Sequence, residues 1–193
     1  MSVFAYSESV TASAAAWVVA GQLAAFLSLL LLASAAHKIL RRERARRAAQ
    51  DLCGMRRGAA GGIVAVLAAA EAGAGVLLWL PDARAAGAWL AASIWSTYCA
   101  VLLRAAATGR SDVDCGCSFG EMQHAPGHFH WMRALALTLL GAFVALASAH
   151  DLGAAAGAGA LATQFVAGFG MLAVYAALDQ LTALRPLRAG EVL

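Results

Sequence analysis

Cys115 and Cys117 flank a single glycine in residues 112–130, DVDCGCSFGEMQHAPGHFH, the most polar stretch of any length in the chain. His124, His128 and His130 follow within fifteen residues of Cys115. Three chemistries suit such a set. Cysteines two apart close a small disulfide ring only with strain, which Gly116 eases through its backbone freedom. A strained, accessible disulfide is readily reduced and suits exchange rather than structure. A nearby imidazolium at His124 or His128 would favour the attacking thiolate. The second chemistry is a soft metal site for Zn or Cu(I), with Cys115, Cys117, His124 and His128 as ligands. The third is an ordinary loop with two reduced thiols.

Two more cysteines and one acid complete the candidates. Cys99 lies in an apolar stretch, where cysteine behaves as a small hydrophobe, yet close enough in sequence to trade with the pair. Cys53 sits in a basic segment and could resolve a mixed disulfide. Glu71 is the one charged residue in residues 58–80. A carboxylate at mid-membrane costs about 3 kcal/mol on insertion scales. It must therefore face the bundle, protonated or partnered: a neutral acid hydrogen-bonded to Ser93, Thr97, Tyr98 or Gln22, or else a proton carrier or an anchor for a polar site.

The elements that hold these residues follow from where charge is missing. The 193 residues are 62% hydrophobic and 13% charged, against about 25% charged in ordinary soluble domains. Residues 14–36, 85–103, 134–149 and 152–178 carry no charge. About twenty apolar residues cross some 30 Å of hydrocarbon as a helix. The run at 134–149 reaches that length if its helix begins near Phe129 and Arg133 snorkels to the interface. The fold class expected is an all-α polytopic membrane bundle of five helices, near 14–36, 58–80, 85–105, 130–149 and 158–181. Four core helices plus one is the alternative grouping. A basic loop would cover 37–57 and a cysteine loop 106–129, all in one membrane domain. The first run has no preceding Lys or Arg and exceeds a signal peptide's apolar core, so it reads as a retained helix. Trp79, Trp89 and Trp131 suit interfacial anchors.

Residues 38–57 hold eight Lys or Arg against Glu43 and Asp51. The positive-inside rule puts this segment in the cytoplasm, with its charge against anionic headgroups. Counting spans from there sets the N-terminus outside and the cysteine loop inside, in a bacterial inner membrane. The basic residues thus have a membrane explanation and do not imply nucleic acid. No phosphate loop, hydrolase triad or haem motif is present. Neither a cofactor nor an oligomeric state can be read from these residues.

The motif DCGCSFG after a third hydrophobic span, followed by a His/Trp/Arg start to a fourth, resembles the MauE family of bacterial membrane proteins. AAHKIL at the end of the first helix and the acid in LAAAEAGAGVLLW of the second resemble it too, with a looser likeness to DoxX-like bundles. In this chain Ser118 separates the cysteines from Phe119-Gly120, where the family runs Cys-Gly-Cys-Phe-Gly. The resemblance implies a part in methylamine utilisation, with a thioredoxin-like partner, in maturing the disulfide-rich small subunit of methylamine dehydrogenase. It implies that Cys115 and Cys117 are the redox pair and Glu71 the matching intramembrane acid. A periplasmic dehydrogenase subunit would need the thiols outside, whereas the charge count puts them inside. The rival expectation is a carrier or sensor for soft metal, with the pair handing an ion to Cys99.

Overall fold

The computed structural model describes residues 3–108, 128–149 and 158–184, with side chains described for 17–108, 130–149 and 159–181. Cys115, Cys117 and His124 lie outside these residues, and of His128 only the backbone is described. Six helices follow one another: α1 Val3–Leu40, α2 Arg42–Cys53, α3 Arg57–Leu77, α4 Arg84–Ala107, α5 His128–Ala149 and α6 Ala158–Leu184. A 3₁₀ turn at Pro81–Ala83 leads into α4. All but α2 contain a stretch long and apolar enough to cross a membrane, Trp17–Leu40 being the first. Among the described residues there is no strand. The expected five-span helical bundle is therefore what the chain forms.

The segment 37–57, expected as a loop, is largely helical. α1 runs on to Leu40 and breaks only at Arg41, whose φ of −113° and ψ of 39° turn the axis before α2 begins. Gly54 ends α2 with a left-handed φ of 66°, its N–H bonded to the Gln50 carbonyl at 2.7 Å. That is the usual use of glycine after a helix. Ala45, Ala48, Ala49 and Leu52 fall at helical spacing and line a cavity inside the bundle, while Arg42 and Arg47 are exposed.

α1 is the hub and packs against each of the other five helices. In lipid the hydrophobic effect does not drive helices together, so close backbone approach and polar contacts take its place. The contacts show this directly. Gly75 of α3 leaves room for Leu32, and the Ser28 hydroxyl donates to its carbonyl at 2.7 Å. Gly168 of α6 lies on Ala25, and Gly141 of α5 on Ala88 and Ala92. The α3–α4 connection is a tight turn. Arg84 is buried and donates through Nε to the Leu78 carbonyl at 3.1 Å, satisfying an acceptor at the end of α3.

Gly87 faces that same turn, and a Cβ there would meet Leu77 Cβ at 2.8 Å and the Leu78 nitrogen at 2.9 Å. Backbone atoms cannot move aside as a side chain can. Gly87→Ala should therefore destabilise the bundle by about 1–3 kcal/mol, the range for overpacking. Gly73→Ala, whose Cβ would meet nothing within 4 Å, should be neutral. Thermal unfolding of the two variants in detergent checks the contrast.

Candidate functional site

Glu71 is 1% exposed and accepts hydrogen bonds from three side chains. Lys38 Nζ donates to Oε1 at 2.8 Å and to Oε2 at 2.9 Å. The Tyr98 hydroxyl donates to Oε1 at 2.6 Å and the Ser34 hydroxyl to the same oxygen at 3.1 Å. Lys38 also donates to Ser34 at 2.7 Å and lies 5.4 Å from the centre of the Tyr98 ring. Ser34 and Lys38 share a face of α1 because they are four residues apart. The three ammonium hydrogens and both carboxylate oxygens are all engaged. Of the partners expected for Glu71, Tyr98 is correct. Ser93 and Thr97 instead bond back to the Trp89 and Ser93 carbonyls of their own helix at 2.9 Å. Gln22 lies twelve residues before Ser34 on α1, about 18 Å along the axis.

Lys38 belongs to this site, not to a solvated basic loop. The register explains it. Ser28 meets Gly75 while Lys38 meets Glu71, so α1 ends beside the middle of α3. The first turns of α3 project beyond α1 and pack on α2. A cation two residues from a helix end is thereby opposite an acid deep in its neighbour.

A second ion pair closes the other side of the bundle. Arg133 of α5 donates to Asp179 of α6 in a short contact, with side-chain exposures of 13% and 5%. The guanidinium lies 5.2 Å from the centre of the Tyr175 ring, which meets Phe26 of α1 edge-on at 6.0 Å. Arg133 was expected to snorkel to the interface. It turns inward because Asp179 and Tyr175 offer it a carboxylate and a π-face. Neither Asp179 nor this pairing was foreseen from sequence; the signal is a lone acid following the charge-free run in the last span.

Both pairs border one cavity of about 310 Å³. Lys38, Tyr98, Arg133 and Tyr175 line it, with Trp95 and Leu137 deeper and α2 across one side. Cys53 and His130 also line it, so the α2 segment and the start of α5 share one end of the bundle. Cys115 and Cys117 fall in residues 109–127, between α4 and α5 in the chain and outside the described residues. Cys99 is not on the cavity wall. It is buried against Leu102, Ala134 and Trp131 and its thiol donates weakly to the Trp131 carbonyl at 3.5 Å. Trp131 thus packs partly on the α4–α5 seam, whereas Trp89 is half exposed. Trp79 packs on Phe165 with the rings tilted by 41° and their centres 5.7 Å apart. Among the described residues no three His, Cys, Asp or Glu side chains are grouped to hold a metal. The alternative ligand set lies outside them.

Removing one member of a buried ion pair strands the other, which costs about 3–5 kcal/mol, whereas replacing both by apolar residues is far milder. Glu71→Ala should therefore destabilise by about 3 kcal/mol. The double variant Lys38→Met/Glu71→Leu should recover most of that loss. Unfolding in detergent measures both, and equal losses would contradict the pairing.

No curated protein and no solved structure matches the chain. One family model does, that of the methylamine utilisation protein MauE, over residues 12–149. That stretch contains α1 from Ala12 onward through α5, with Lys38, Glu71, Tyr98 and the Cys115–Cys117 pair within it. With more than two thirds of its length matched, this five-span membrane bundle belongs to the MauE family.

Proposed function

We propose that the chain acts in methylamine utilisation, or in the maturation of another disulfide-containing protein, by thiol–disulfide exchange through Cys115 and Cys117. Its partner is a thioredoxin-like protein. The observation that supports this most is the position of the Cys-Gly-Cys element. It falls inside the MauE-matched residues and on the link between α4 and α5, two helices that pack closely along their length. A closely packed helix pair on either side of the element in the chain suits a redox pair at a membrane surface.

In the exchange, the thiolate of one loop cysteine attacks a sulfur of the partner disulfide. A mixed disulfide forms and one partner thiolate leaves. The second loop cysteine then attacks its neighbour's sulfur and expels the other partner thiolate. The pair ends oxidised and the partner gains two electrons, the two thiol protons passing to the partner sulfurs. A second dithiol protein of the thioredoxin type returns the pair to its reduced form. Run in reverse, the same steps oxidise the partner. His124 and His128 support the attacking thiolate. Glu71 serves this function as an anchor: its four accepted hydrogen bonds hold α1, α3 and α4 in register.

The burial of Cys99 in an apolar seam, away from the cavity wall, gives no support to a cysteine ladder for metal. For orientation, the basic residues around α2 argue for a cytoplasmic face at this end, in a bacterial inner membrane. The N-terminus is then outside and the cysteine loop inside.

Cys115→Ser and Cys117→Ser should each abolish complementation in cells lacking their own copy. The variant that keeps the attacking cysteine should also accumulate a mixed disulfide with a thioredoxin-like protein, visible on a non-reducing gel. Full activity of either variant would refute the exchange. In intact cells a membrane-impermeant maleimide should leave both cysteines unlabelled until the membrane is opened; labelling from outside would reverse the orientation.

A further inference from the structure

A second cavity, of about 340 Å³, opens where α1 ends and α2 crosses α3. Its polar wall is Lys38, Arg42 and Arg46, with Glu43 beside them. Its floor is apolar: Ile39 from α1, and Val64, Ala65 and Ala68 from successive turns of α3. The floor exists because α3 carries small residues here. Gly61 has no side chain, so the Arg46 stem lies across it, 3.6 Å from where a Cβ would stand.

The charges at this cleft do not cancel. Lys38 is held by Glu71 behind the wall. Glu43 takes a short contact from Arg46 and lies 3.8 Å from Arg57. Four cations thus face two carboxylates, and Arg42 is exposed. One donor is also left over. The Arg46 Nε–H is shielded from solvent and has no hydrogen-bond partner among the described residues. Buried donors are almost always satisfied, so an orphan calls for an acceptor. The guanidinium fork fits two oxygens of one phosphate. The acceptor must suit both the cationic wall and the apolar floor that continues along α3. An amphiphile with a phosphate head does so, and basic pockets between spanning helices are recognised sites for such headgroups.

We propose that this cleft is a binding site for one anionic glycerophospholipid, its phosphate between Arg42 and Arg46 and an acyl chain along Val64, Ala65 and Ala68. The site is independent of the thiol chemistry at the cysteine loop. It differs from a diffuse basic surface in having a location: Arg47 is on the same helix, exposed, and no part of the cleft.

The test uses the full chain purified in a neutral detergent and titrated with dioctanoyl phosphatidylglycerol, bound lipid being counted by native mass spectrometry. One lipid should bind saturably. Arg42→Gln and Arg46→Gln should each weaken it about fivefold, the worth of one basic residue near a membrane surface. Arg47→Gln, which removes the same charge, should leave binding unchanged. Ala65→Trp keeps every charge but fills the floor, and should abolish binding; since Ala65 is exposed, the fold tolerates the change, and the melting temperature confirms it. Equal losses in Arg42→Gln and Arg47→Gln would overturn the site in favour of diffuse attraction. Competition by sn-glycerol 3-phosphate or inorganic phosphate as strong as by the lipid would overturn the lipid assignment, as would an absence of saturable binding.

Discussion

A carboxylate in the middle of a membrane-spanning helix is tolerable only if its oxygens are met, and the bundle is organised around meeting those of Glu71. Ser34 and Lys38 come from α1, Tyr98 from α4, and Glu71 itself from α3. With apolar faces on every span, sliding one helix along another by a turn changes little in burial. It would, however, part Lys38 from Glu71. The ion pair therefore sets register where hydrophobic packing is indifferent to it. Whether such a pair adds net stability over an apolar replacement is secondary to that specificity. The glycine contacts, Gly75 on Leu32 and Gly168 on Ala25, then fix how closely the same helices approach.

The two cavities stand on either side of this arrangement and share Lys38 and Val64. The inner one is bordered by both ion pairs and covered by the apolar face of α2. The outer one looks toward lipid and is bordered by that helix's basic face. α2 is thus the partition between them. It lies at the end of the bundle where α5 begins, with Cys53 and His130 lining the inner cavity there.

Much of this was legible in the residues. Four charge-free runs and one run interrupted only by Glu71 marked the five spans, because a charge in hydrocarbon is costly whatever the sequence around it. Tyr98 was legible as a partner for Glu71 because phenols in a bundle seek such acceptors. α2 was missed although Ala45, Ala48, Ala49 and Leu52 show helical spacing. Dense arginine reads as solvated loop, yet Arg, Ala, Glu and Gln are also good helix formers. The place of Lys38 was missed for a deeper reason. It depends on the stagger between α1 and α3, which is a property of packing and leaves no local mark. Arg133 and Asp179 are separated by 46 residues, and their meeting likewise depends on how α6 docks against α1.

In both buried ion pairs the cation precedes its carboxylate in the chain: Lys38 before Glu71, and Arg133 before Asp179. Chains are made and inserted from the N-terminus, and domains generally form in that order. By the time either acid reaches the bilayer, a helix bearing its counter-charge is already there to receive it. The order of residues thus serves assembly as well as the finished bundle. A permuted chain with the acids first would have to insert each of them unpaired.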